Sequence, residues 1–118
     1  MKRLALVIGM LCTVCLQTEA QYVSEVWVAD QGNGTYRNPV LHADYSDPDV
    51  CAVGDDFYMT ASSFGCTPGL PVLHSKDLVN WEYKGTAFTD ATRPTWGGDH
   101  NIWAPEIRYF NNHYVLYY

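Results

Sequence analysis

Hydrophobic and polar positions alternate over short runs rather than at helical spacing. Val50-Cys-Ala-Val53 and Phe57-Tyr-Met-Thr-Ala-Ser62 flank Gly54-Asp55-Asp56, a hairpin signal. Leu70 to His74 predicts a third strand, after a loop broken by Pro68-Gly69. Ser75-Lys-Asp-Leu78 predicts one helical turn capped by Ser75, with Asp77 near its start. Asn80-Trp-Glu-Tyr-Lys84 predicts a fourth strand, ended by Gly85. Ala87 to Asn101 is irregular, with Pro94, Gly97 and Gly98. Ile102 to Phe110 and His113 to Tyr118 then predict a second hairpin around Asn111-Asn112. The pattern implies an all-β chain. Four strands followed by the start of another set match the first blade of a β-propeller and the beginning of the second, although a sandwich also accepts such strands. The aromatic run Tyr114-Val-Leu-Tyr-Tyr118 favours the propeller, because a strand of this kind needs a neighbour to pair and cover it. At roughly 40–50 residues per blade, a closed propeller needs far more chain, so the expectation is an N-terminal piece that does not fold stably by itself.

The first twenty residues break this pattern. Lys2 and Arg3 precede an apolar run from Leu4 to Leu16, and Thr18-Glu-Ala20 supplies a small residue before Gln21. This is the layout of a cleaved signal peptide over 1–20, with an apolar core too short to span a bilayer. It predicts export to the periplasm or outside the cell, with no membrane association after cleavage. Residues 21–37 form a polar lead-in with one short strand expected at Val26-Trp-Val28. Asn33-Gly-Thr35 has the form of a glycosylation sequon.

Charge narrows the partners. The 118 residues carry a net charge of −6, and removing Lys2, Arg3 and Glu19 with the leader makes it −7. No basic patch is present, so nucleic acid is an unsuitable partner and a neutral ligand fits better. Two cysteines follow the leader, Cys51 and Cys66. Export permits a disulfide between them, while two free buried thiols fit equally well.

The candidate chemistry lies in Asn38-Pro-Val-Leu-His-Ala-Asp-Tyr-Ser-Asp-Pro-Asp49, which holds Asp44, Asp47 and Asp49. Pro48 disfavours helical backbone at Asp47 and predicts an extended conformation there. Locally this is also an ordinary Asp-Pro turn. A calcium loop counted from Asp44 has Asp49 at its sixth position and Asp55 at its twelfth, where an EF-hand needs Gly and Glu.

A set of ordered motifs changes the balance. Asn38-Pro-Val-Leu41, Tyr45-Ser-Asp-Pro-Asp49, Val53 to Phe64, Pro68-Gly-Leu-Pro71, His74 to Trp81 and Trp103-Ala-Pro-Glu-Ile107 resemble the start of glycoside hydrolase family 43. The resemblance is strongest to its β-xylosidase and α-L-arabinofuranosidase branch and covers residues 37–118. It implies a five-bladed β-propeller domain, of which residues 38–118 are the N-terminal part. It implies inverting hydrolysis of xylan- or arabinan-derived saccharides by two carboxyl groups, with a third acid for tuning. Asp47 maps onto the general base. The general acid and the tuning Asp belong to later blades, beyond Tyr118, so negligible turnover is expected of these residues alone. Phe64 and Trp103 match positions lining the subsite of the scissile sugar, where an aromatic face meets the apolar face of the ring. Trp27 and Trp81 have no such match and read as packing. Asp44 and Asp49 read as turn or backbone ligands, and His42 and His100 as solvated or structural. Glu106 lies in a strand motif and does not fit the acid. The chemistry requires no cofactor, and a structural calcium would fall in the later blades. A non-catalytic carbohydrate-binding propeller module is the alternative; it would need Phe64 and Trp103 but not Asp47.

Overall fold

The computed structural model describes residues 26–66, 69–89, 91–92 and 101–118. The leader, Pro68, the Pro94–His100 loop and their expected roles lie outside the described residues.

The described chain is all-β, with six strands in two antiparallel sheets. The first sheet has strands β1 (Asp49–Val53), β2 (Asp56–Thr60), β3 (Pro71–Ser75) and β4 (Trp81–Thr86), paired in sequence order. The second is a hairpin of β5 (Glu106–Phe110) and β6 (His113–Tyr117). Both expected hairpins form, and their turns explain why. Gly54 has φ 61° and opens the two-residue turn between Val53 and Asp56, where glycine is needed. Asn111 and Asn112 both have positive φ, 49° and 64°, as a tight turn matched to strand twist requires.

Alternation gives the first sheet two faces. Val50, Met59 and Leu73 are cross-strand neighbours on one face, with Met59 and Leu73 buried. Together with Pro39, Leu41, Tyr45 and Trp81, Val50 and Met59 line an apolar groove of about 750 Å³. Cys51, Tyr58 and His74 share the other face. There the Tyr58 ring meets the rings of His74 at 5.0 Å and of Tyr114, from β6, at 4.7 Å. Asp49 bolts the two sheets together. Its Oδ2 accepts the Ile107 N–H at 2.8 Å and an Arg108 guanidinium N–H at 2.7 Å. The expected backbone role of Asp49 is therefore found, directed at the second sheet rather than at its own turn.

Several expectations need correction. No strand forms at Val26-Trp27-Val28. An Asp30–Tyr36 bridge closes the lead-in instead, and Trp27 packs under the Arg37 guanidinium at 4.1 Å. Ser75 does cap, its Oγ accepting the N–H groups of Asp77 and Leu78, but the segment bends instead of turning into helix. Leu78 sits at φ 65°, and serine and aspartate oxygens compete successfully for the backbone donors of Asp77 to Asn80. Gly85 does not end β4. It lies within the strand at φ 134°, paired with Val72 where the register shifts before Leu73. Here glycine marks an irregularity in pairing rather than a stop. Strand β5 begins at Glu106, not Ile102, because Trp103-Ala-Pro105 interrupts the run. Finally, Cys51 and Cys66 are both free, and Cys66 is exposed rather than buried. Burial, reinforced by the Asp49 charge, raises the pKa of the Cys51 thiol, which keeps it in its unreactive form.

Candidate active site

The site forms where the end of β2 runs alongside the segment leading into β5. Beyond Thr60 the chain stays buried through Ala61, Ser62 and Ser63. Ile102 accepts N–H groups from both Ser63 and Phe64 at 3.1 Å, and a short Phe64–Ile102 bridge joins the two segments. This bridge carries Trp103 to Phe64, and their rings meet edge to face at 5.3 Å and 84°. Phe64 is half-buried, whereas Trp103 is 63% exposed. The two expected sugar-contacting aromatics thus form a right-angled wall with an open face. The Ser63 hydroxyl is buried without a partner among the described residues, and it lines a cavity of about 320 Å³ with Asp44, Phe64, Pro71 and Tyr83.

Asp47 joins this wall through Ser62. The Ser62 backbone N–H donates to the Ser46 carbonyl at 2.9 Å, bringing the Asp-Pro segment against the end of β2. The Ser62 hydroxyl donates to Asp47 Oδ2 at 2.8 Å, and the Ser46 hydroxyl donates to the same oxygen at 3.2 Å. Among the described residues, Oδ1 accepts no hydrogen bond and Asp47 has no cationic partner. One oxygen is anchored and the other is unpartnered among the described residues. Asp47 is exposed, as a group acting on an external molecule must be.

Backbone conformation corrects the local expectation for Asp47. Its φ is 48°, in the left-handed region, not extended. Pro48 disfavours only the right-handed helical basin of its predecessor, and aspartate tolerates the left-handed one. Phe64 at φ 48° and Ala104 at φ 42° share this conformation. For non-glycine residues it costs on the order of 1–3 kcal/mol each and persists only where the surroundings impose it. All three lie within a few residues of the Ser62 hydrogen bonds.

Two neighbouring acids are occupied elsewhere. Asp49 holds Ile107 and Arg108, and Glu106 pairs with the same Arg108. Asp44 is exposed and lines the 320 Å³ cavity together with Ser62, Ser63 and Phe64. His42 packs against Trp27 at 5.3 Å between centroids. Among the described residues no group of three His, Cys, Asp or Glu side chains is placed to hold a metal ion.

The chain as a whole is similar to known proteins. The model of glycosyl hydrolases family 43 matches residues 36–118. The chain belongs to glycosyl hydrolases family 43. It is 39% identical over 98 residues to a β-xylosidase of Formosa agariphila, covering 75% of this chain and 16% of that protein. It is 39% identical over 97 residues to a non-reducing end α-L-arabinofuranosidase of Bacteroides ovatus, covering 77% of this chain and 18% of the relative. The crystal structure of the family 43 protein BlXynB from Bacillus licheniformis superposes with a TM-score of 0.58 at 38% identity, over 69% of this chain and 16% of that one. The chain therefore spans about a sixth of the length of these relatives.

Sequence reasoning named Asp47, Phe64 and Trp103 as candidates but passed over the residues that connect them. Ser62 and Ser46 were visible only as small residues flanking motif positions. The signal was the pair Ser62-Ser63 directly before Phe64, a polar doublet where an alternating strand pattern calls for one apolar residue.

Proposed function

We propose that these residues form the base-bearing part of a glycoside hydrolase acting on xylan- or arabinan-derived saccharides. The observation that carries this reading is Asp47, with Oδ2 held by two serine hydroxyls and Oδ1 free, next to the Phe64–Trp103 wall. Family membership and the β-xylosidase and arabinofuranosidase relatives support the substrate class.

The chemistry follows from that geometry. A pentose ring stacks its apolar face against Trp103, with Phe64 closing the side. A water held by Asp47 Oδ1 attacks the anomeric carbon while Asp47 takes its proton. A second carboxyl group protonates the departing oxygen from the opposite face. For inversion the two carboxyls stand roughly 6.5–9.5 Å apart, leaving room for the water. Following the pattern of the family, we assign the acid and the tuning Asp to later blades, beyond Tyr118. The four-stranded sheet is then the first blade of a five-bladed propeller, and β5–β6 opens the second. Residues 1–20 direct export, and the two-carboxyl chemistry calls for no cofactor.

The test is the stereochemistry of the first-formed product. The full-length protein carrying these residues, given para-nitrophenyl β-xyloside or α-L-arabinofuranoside, should release a sugar of inverted anomeric configuration by proton NMR. Retained configuration, or binding of both glycosides without cleavage, would contradict the reading. The second outcome would leave a carbohydrate-binding module.

A further inference from the structure

We infer that Ser62 is a positioning residue for the reaction, the part that fixes the aim of Asp47 and makes it depend on the Trp103 segment. This inference rests on the reading of Asp47 as general base.

Three observations carry it. The Ser62 hydroxyl is 4% exposed as a residue and sits between two partners from distant parts of the chain. It accepts the Ala104 backbone N–H at 2.7 Å and donates to Asp47 Oδ2 at 2.8 Å. A hydroxyl has one proton to give. With a donor already pointing at its oxygen, that proton is directed at the carboxylate. The result is a relay from amide to hydroxyl to carboxylate, in which each bond polarises the next. It ends in a charge-assisted bond, the stronger kind.

The second observation is which oxygen is held. Both serine hydroxyls, Ser46 and Ser62, converge on Oδ2, and this leaves Oδ1 for a water. Ser46 is only half-buried, its 3.2 Å contact is the longer one, and it is the sequence neighbour of Asp47. It moves with the aspartate and cannot set the aspartate's position relative to the aromatic wall. Ser62 can, because it lies on the buried segment that follows β2 and is bonded to the residue after Trp103.

The third is the placement of strain. Asp47, Ala104 and Phe64 are all left-handed, and they are respectively the acceptor of the Ser62 proton, the donor to the Ser62 oxygen and the residue two positions beyond it. Of the seven left-handed non-glycine residues among the described residues, three are the two partners of this hydroxyl and a residue close beside it, as expected where a fixed geometry is maintained at a working site.

The test compares Ser62→Ala, Ser62→Cys and Asp47→Asn in the full-length protein, with para-nitrophenyl β-xyloside and α-L-arabinofuranoside as probes. Ser62→Ala should lower kcat roughly 10- to 100-fold with KM within about threefold, because the base is misaimed while the aromatic wall remains. Ser62→Cys keeps the side chain's shape with a weak donor and should also lower kcat at unchanged KM; it decides the question if the alanine variant does not fold. Either variant folding with kcat within about twofold of wild type, while Asp47→Asn abolishes turnover, would overturn the role of Ser62 and leave the base reading intact. A rise in KM at unchanged kcat would also overturn it. Full hydrolysis by Asp47→Asn would instead remove the base reading on which the inference rests.

Discussion

The two sheets are built by the same rules and reach different states. In β1–β4, alternation delivers Met59 and Leu73 to a buried face, and Leu70 and Thr60 are also buried at the strand ends. In β5–β6, Ile107 is the one fully buried apolar side chain, while Phe110 and Tyr117 are 67% and 59% exposed. Both hairpins have ideal turns and regular pairing, so local geometry does not separate them. What separates them is the number of strands sharing the work of burial. A two-stranded ribbon has too little surface to bury its own aromatics. The second sheet is held by what it borrows from the first: Tyr58 against the Tyr114 ring, and Asp49 on the Ile107 N–H and the Arg108 guanidinium. The candidate site lies at this seam, with Asp47 on one side and Trp103 on the other.

That contrast sets the predictions, and the largest concerns turnover. Residues 21–118 alone should show no measurable hydrolysis of para-nitrophenyl glycosides, whereas the full-length protein should show it. General acid catalysis contributes on the order of 10²–10⁴-fold, and the acid is assigned outside this segment. Activity of the short piece would break the division of labour. Next, Leu73→Ala should destabilise the full-length protein by about 2–5 kcal/mol in chemical denaturation, by loss of transfer energy and a cavity in the first sheet. A cost below about 1 kcal/mol would mean that this sheet is no better packed than the second. Asp49→Ala should cost about 1–3 kcal/mol, leaving the buried Ile107 N–H without its acceptor. Hydrogen exchange should show the loss first in β5–β6; uniform loss across both sheets would contradict a seam.

The smallest effect is one of pH and belongs to the first sheet alone. Hydrogen bonds from Asn80 above all, through its side chain and backbone, with further ones from Val79 and Ser75, lower the pKa of Asp77 from 3.8 to about 2. A depressed carboxyl contributes stability that is present above its unfolded pKa and is lost as pH falls through the folded one. The 75–80 loop should therefore weaken between about pH 4 and pH 2, seen as faster amide exchange at Val79 and Asn80. In Asp77→Asn this pH dependence should vanish.

Much of this was legible in the sequence, for identifiable reasons. Strand alternation and the turn pairs Gly54-Asp55 and Asn111-Asn112 are local signals, and both hairpins follow from them. Asp47, Phe64 and Trp103 were named from motifs, and the structure brings Phe64 and Trp103 into contact. What the sequence did not disclose depends on pairs far apart in the chain. Nothing local shows that Asp49 meets Ile107 across 58 positions, or that Ser62 meets Ala104 across 42. The left-handed Asp47 was missed because the proline rule excludes one basin without choosing among those left. Gly85 was misread as a stop because a glycine that ends a strand and one that accommodates a shift of register look the same in isolation.

The central claim is that Asp47 acts on water rather than holding the sugar. The most direct measurement is Asp47→Asn in the full-length protein, with turnover of para-nitrophenyl glycosides and calorimetric affinity for the released pentose followed together. The account predicts that kcat falls at least roughly 10²-fold while affinity stays within about threefold of wild type. Unchanged turnover, or a loss of affinity that accounts for the whole loss of activity, would contradict it.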